Sequence, residues 1–88
     1  MTYAIRVTRP AARDLEARLP EAVATAVVEF VFGPLAENPH RVGKALLPPR
    51  AGQHSARRGQ YRIIYEIDDE RSVVTVLAIL HRRDAYHS

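Results

Sequence analysis

Residues 61–80, YRIIYEIDDERSVVTVLAIL, decide the fold. The first seven alternate Tyr61, Ile63, Tyr65 and Ile67 with Arg62, Ile64 and Glu66, the two-residue period of a strand with one buried face. Residues 68–71, DDER, form a polar hairpin turn. Residues 72–80, SVVTVLAIL, are apolar and β-branched almost throughout, which predicts a central strand buried on both faces. Register then carries the weight. If paired residues sum to an even number near 140, Arg62, Ile64 and Glu66 share a face with Val76, Ala78 and Arg82, and Arg58 joins them near Arg82. Tyr61, Ile63 and Tyr65 then lie with Leu77, Ile79 and His81 on the other, helix-covered side. A slip of one residue would separate Arg62 from Arg82.

Working outward, residues 53–57, QHSAR, read as a short strand and residues 58–60, RGQ, as the turn after it. Residues 38–52 hold three prolines and two glycines and are expected to be mostly loop. Near the start, Tyr3, Ile5 and Val7 alternate with Ala4, Arg6 and Thr8 as a strand. Thr8 is placed to cap a helix opened by Pro10, with Ala11, Leu15 and Leu19 on one face. Pro20 stops that helix and starts a second over Glu21–Phe32, with an apolar stripe of Val23, Val27, Phe30 and Val31. Gly33–Pro34 is expected to end it. The fold class is therefore α+β in the order β-α-α-β-β-β, an antiparallel sheet with a two-helix hairpin on one face, in a single domain spanning 1–88.

Composition limits what such a chain does. With 47% hydrophobic and 26% charged residues it belongs with soluble globular proteins, not disordered ones. It has no cysteine, which removes disulfides, thiolate catalysis and cysteine-based zinc sites. It shows neither a signal-peptide pattern nor an apolar run near the ~20 residues that cross a bilayer, so a cytoplasmic location is expected. Net charge is +3, yet residues 40–88 alone carry nine cations against five acids. Twelve of the thirteen cations are arginine, the residue whose planar fork suits phosphates and carboxylates. A polyanionic partner is the modest implication.

Arg62 in mid-strand reads either as part of a solvated face, paired with Glu66, or as part of a phosphate site. Arg58 and Arg82 on the same face shift the balance to the second reading. Of the histidines, His40 reads as polar surface, and His54 stacks or lines the concave face. His81 is a proton donor or acceptor near neutral pH, or simply a strand-end residue, and His87 sits at the terminus. Their spacing makes no metal site, so neither metal nor cofactor is expected. Two readings of Tyr86 stand together: a ring covering the core edge, or a phenol among arginines whose charge favours phenolate and a general-base role.

HSARRGQYRIIYEID (54–68) followed by VVTVLAILHRRDAY (73–86) resembles the C-terminal half of RelE-type toxins of bacterial type II toxin–antitoxin pairs. Arg57, Gly59, Tyr61, Arg62 and Tyr65 carry most of the pattern, HRRDAY closes it, and the strand and two helices before residue 37 agree with that fold. The resemblance implies a ribosome-dependent endoribonuclease, an mRNA interferase that inhibits translation by metal-free attack of a ribose 2′-OH on the adjacent phosphate. By position, Arg62 resembles the phosphate-stabilising arginine, and Arg82 an acid or charge stabiliser. Tyr86 resembles a tyrosine that acts as base or stacks, and His81 falls where relatives carry a cation or histidine. Some RelE toxins place lysines on the strand before the glycine turn, where this chain has Gln53, His54 and Ser55, which points to reduced activity or relaxed target preference. Arg57 and Arg58 stand to supply that charge, and Arg41, Lys44 and Arg50 to grip ribosomal RNA. The expected partners are the ribosome, its messenger and a cognate antitoxin whose acidic segment covers the basic face. ParE-type toxins share the fold and inhibit DNA gyrase without cutting RNA, and are the alternative. A further alternative is a weakened toxin acting through antitoxin binding and operon repression.

Overall fold

The computed structural model describes residues 2–85, with the side chains of residues 84 and 85 excepted. Strand β1 (Ala4–Val7) leads through Thr8 into α1 (Arg9–Arg13). Thr8 occupies the N-cap position, but its hydroxyl donates to the Leu77 carbonyl at 2.9 Å instead of capping the helix. Helix α1 continues into a π-helical turn, Asp14–Arg18, closed by the Leu19 N–H on the Asp14 carbonyl at 2.9 Å. Leu19 and Pro20 are extended and break the chain before α2 (Glu21–Phe30).

Gly33–Pro34 does not end the second helix. Helix α2 runs into a second π-helical turn, Val31–Leu35, and stays helical to residue 37. Proline lacks the N–H for an ordinary helical bond and its ring crowds the carbonyl one turn back, and a widened turn accommodates both. Continuing the helix keeps Val31, Leu35 and Ala36 in the core, each no more than 3% exposed. The expected loop of residues 38–52 also contains α3 (Pro39–Val42) and a two-residue strand, β2 (Lys44–Ala45).

Strands β3 (His54–Arg58), β4 (Tyr61–Asp68) and β5 (Val73–His81) form the meander, and α4 (Arg82–Ala85) follows directly. The sheet order is β1-β5-β4-β3-β2. The sheet is mixed, not wholly antiparallel, because β1 takes the outer edge of β5 in parallel while the other pairs are antiparallel. That edge is the one left open when β3 occupies the far side of β4.

The even register holds only near one end of the hairpin. Tyr61↔His81 through Ile64↔Ala78 pair with that parity, then the register shifts so that Tyr65 faces Val76 and Ile67 faces Val74. Leu77 is the extra residue of the bulge, and Val76, not Leu77, enters the core at 1% exposed. Nor is β5 buried on both faces: Thr75, Ala78 and Leu80 are only half-buried. The core lies under one face, where Ala11, Val27, Phe30, Val31 and Leu35 meet Ala56, Ile63, Tyr65, Val74, Val76 and Ile79. Tyr65 is its largest fully buried side chain; burial pushes its phenol up to about 12, and its hydroxyl donates to the Pro39 carbonyl at 2.7 Å. Among the described residues, no helix is long and apolar enough to cross a membrane.

Candidate functional site

The β3–β4 turn organises the site. Arg58 and Tyr61 pair across a two-residue loop of Gly59 and Gln60, and Gly59 has φ +59°, which glycine adopts without the penalty a Cβ brings. The next pair outward is Arg57↔Arg62, so both side chains leave the sheet on the face opposite the helices. Arg82 extends the β4–β5 pairing as its N–H donates to the Gln60 carbonyl at 2.6 Å. A polar cavity of about 280 Å³ results, lined by Arg57, Arg62 and Arg82 with Gly59, Gln60 and Tyr61. Among the described residues no carboxylate lines it. Three guanidiniums around one small cavity suit a tetrahedral oxyanion such as a phosphate. The neighbouring row, Lys44, Ser55, Ile64 and Ala78, shares that face, so exposed Lys44 extends the positive surface along the sheet.

Arg58, expected at this face, lies elsewhere, and two other candidate residues, His54 and His81, do not line the cavity. Arg58 pairs with Tyr61 and so turns to the helix side, where its guanidinium carbon stands 3.6 Å over the Phe30 ring and its Nη1 donates to the Arg57 carbonyl. The odd pairing sum of the two-residue turn exchanges it with Arg57. His54 pairs with Tyr65 and stacks on its ring at 5.4 Å, with its Nδ1 buried and without a hydrogen-bond partner. Burial and the neighbouring His40 hold its pKa below the usual imidazole range, partly opposed by Asp69. His81 pairs with Tyr61, again on the helix side. Its Nδ1 accepts from the Arg83 N–H and its Nε2 lies 3.1 Å from Gln60 Oε1, an arrangement that fits the Nε2–H tautomer. It borders a second cavity, of about 420 Å³, against α2.

Arg41 and Arg50 are exposed and do not line the arginine cavity. Tyr86 and His87 lie outside the described residues. His40 is more than polar surface: its Nε2 sits 2.9 Å from Asp69 Oδ1, which also accepts from the Tyr3 hydroxyl at 2.6 Å. Both contacts hold the Asp69 carboxyl below its ordinary pKa, and the bond to Asp69 raises that of Tyr3. Sequence reasoning passed over Gln60, which anchors Arg82 and borders both cavities. Its signal was available, since a two-residue glycine turn places its second residue opposite whatever follows β5.

Comparison with known proteins adds ancestry to this geometry. The family model described as ParE toxin of type II toxin–antitoxin system, parDE, matches residues 5–86. Toxin RelE of Mycobacterium tuberculosis (strain ATCC 25618 / H37Rv) is 54% identical over 84 residues, covering 96% of this chain and 86% of that protein. Toxin RelG of the same organism is 51% identical over 86 residues, covering 98% of each. A chain of the crystal structure of the toxin–antitoxin complex RelBE2 from Mycobacterium tuberculosis superposes with a TM-score of 0.88 at 50% identity, over 93% of this chain and 100% of that one.

Proposed function

The chain belongs to the toxin family described as ParE toxin of type II toxin–antitoxin systems, and from that premise we propose that it is a ribosome-dependent endoribonuclease that cleaves messenger RNA and inhibits translation. The observation that carries this reading is the meeting of Arg57, Arg62 and Arg82 around one cavity, from three different elements. The arginines bind the scissile phosphate. As the 2′-oxygen–phosphorus bond forms and the phosphorus–5′-oxygen bond breaks, Arg62 and Arg57 take up the charge of the phosphorane. Arg82 stabilises or protonates the departing 5′-oxygen. A base takes the 2′-OH proton, a role assigned to Tyr86 on its position in the sequence. The products are a 2′,3′-cyclic phosphate and a 5′-hydroxyl. Lys44 holds a flanking phosphate, and exposed Arg41 and Arg50 attract ribosomal RNA. His81, turned to the other face, is given no part. A cognate antitoxin neutralises the toxin, a partner favoured by the relative solved as a toxin–antitoxin complex.

The ParE description of the family favours a second reading, inhibition of DNA gyrase without RNA cleavage. The RelE and RelG names of relatives more than half identical weigh against it. Arg62→Ala and Arg82→Ala are each expected to lower cleavage by about 10²–10³, the usual loss for one charge-stabilising donor, and to abolish growth arrest. Primer extension on translated messengers should show cuts at ribosome-occupied codons for the wild type only. Full toxicity of both variants, or DNA damage in place of the cuts, refutes the reading.

A further inference from the structure

The start of α4 is tied down through two successive backbone N–H groups. That of Arg82 donates to the Gln60 carbonyl at 2.6 Å, and that of Arg83 donates to His81 Nδ1 at 3.1 Å. The His81 ring is itself fixed twice: its Nε2 lies 3.1 Å from Gln60 Oε1, and it stands edge-on to the Tyr61 ring at 5.1 Å. Gln60 and Tyr61 border the arginine cavity, while His81 sits behind them on the helix side. Two anchored N–H groups therefore flank the Arg82 Cα, and its side chain lines the cavity.

We propose that His81 is a positioning residue for RNA cleavage. It caps the turn that carries Arg82 and so aims that guanidinium at the scissile phosphate, while Gln60 holds the imidazole in the tautomer the cap requires. The inference rests on the ribonuclease reading above and adds a residue that acts through Arg82 without touching substrate. Helix α4 has four residues, too few to be stable by its own hydrogen bonds, so its first N–H groups depend on outside acceptors. His81 precedes it in the N-cap position, from which a side-chain acceptor reaches the second or third helical N–H; Arg83 is the second residue. An imidazole caps in this way only through a bare Nδ1. The ring proton must then sit on Nε2, and Gln60 Oε1 is the acceptor that keeps it there. One glutamine thus fixes Arg82 directly through its carbonyl and indirectly through its side chain.

The test uses His81→Phe, which keeps a ring against Tyr61 but has no acceptor, and His81→Asn, whose amide oxygen caps without a choice of tautomer. His81 is only half-buried and Gln60 is exposed, so the fold tolerates both changes, as thermal unfolding should verify. In single-turnover cleavage of ribosome-bound messenger, His81→Phe is expected to lower the maximal rate about 10–100-fold, as a misplaced group does. The half-saturating toxin concentration stays unchanged, a split that unfolding would not produce. His81→Asn recovers most of the loss. In an Arg82→Ala background His81→Phe slows cleavage no further, because its effect runs through Arg82. Gln60→Ala slows the wild type but not His81→Asn. A wild-type rate for His81→Phe overturns the proposal, as do equal losses in His81→Phe and His81→Asn. Losses that multiply with Arg82→Ala would mean that His81 acts independently of Arg82 and also overturn it. Slowing of His81→Asn by Gln60→Ala would set the glutamine against the RNA and overturn its role in holding the tautomer. Absence of cleavage by the wild-type toxin would instead refute the ribonuclease reading itself.

Discussion

Arg57 and Arg58 are neighbours in sequence and opposites in structure, and replacing each with alanine separates catalysis from packing. Arg57 faces Arg62 across the β3–β4 pair and lines the arginine cavity. It is exposed, so water screens its charge. Its loss should cost about tenfold to a hundredfold in cleavage, below the ~10²–10³ typical of a sequestered oxyanion donor. Stability should stay within about 0.5 kcal/mol, as for other surface sites. Arg58 lies 3.6 Å over the Phe30 ring on the helix side. An exposed cation–π contact contributes about 0.5–1 kcal/mol, and the arginine stem covers apolar surface besides. For a domain of this size about 1 kcal/mol moves Tm by roughly 4–8 °C, so Arg58→Ala should lower Tm by about 2–8 °C and leave the chemical step intact. The assays are thermal unfolding followed by circular dichroism and single-turnover cleavage of ribosome-bound messenger. Comparable cleavage losses in the two variants, or a larger loss for Arg58→Ala with Tm unchanged, would refute the parity argument and with it the assignment of the cavity.

Two further predictions concern the core beside the site. His54 is depressed by burial, so its folded pKa lies below the unfolded value near 6.5 and the unfolded chain binds more protons between the two. Stability should therefore fall as pH drops from about 7 toward 5, and His54→Gln should flatten that limb in urea titrations; His40 and Asp69 are the titratable groups facing the ring from α3 and the β4–β5 turn. A flat wild-type profile over that range contradicts the buried-ring account. Gly43 packs so closely on the Tyr65 hydroxyl and the Ser55 carbonyl that a Cβ would collide with both. Gly43→Ala should cost about 1–3 kcal/mol in chemical denaturation, with part of the cost relieved in a Tyr65→Phe background, and additive losses would count against that contact.

The α+β class and the order of the main elements were legible because strand and helix periods are local properties of the chain. The convergence of Arg62 and Arg82 was legible through parity, given the right register at that end. Arg58 was misplaced on the face for the same reason in reverse, while His81 lies on the helix-covered side that the parity gave it. A face assignment inherits every register, and one two-residue turn sends Arg57 and Arg58 to opposite sides. The helix through Gly33–Pro34 was not legible, because local proline cost is overridden by burial of Val31, Leu35 and Ala36, which no short window contains. The parallel pairing of β1 depends on which sheet edge remains free, again a non-local fact.

The bulge at Leu77 links the packing of the core to the arginine cluster. In β5 the buried residues are Val74 and Val76 at one end and Ile79 at the other, which a regular two-residue period cannot place on one face. A strand without the bulge would have to expose either the valines or Ile79, at a cost of about 1.5–3 kcal/mol for each fully buried apolar side chain turned to water. The apolar run of residues 72–80 conceals this conflict, since every position tolerates burial. The extra residue resolves it by letting the far end pair in one parity, for the core, and the near end in the other. The near-end parity is the one that puts Arg62 on the open face and brings Arg82 to the Gln60 carbonyl. Removing the bulge would thus trade core burial against the arginine cluster. The irregularity that defeats a simple strand reading is also what allows this small sheet to carry a full core on one face and a cationic site on the other.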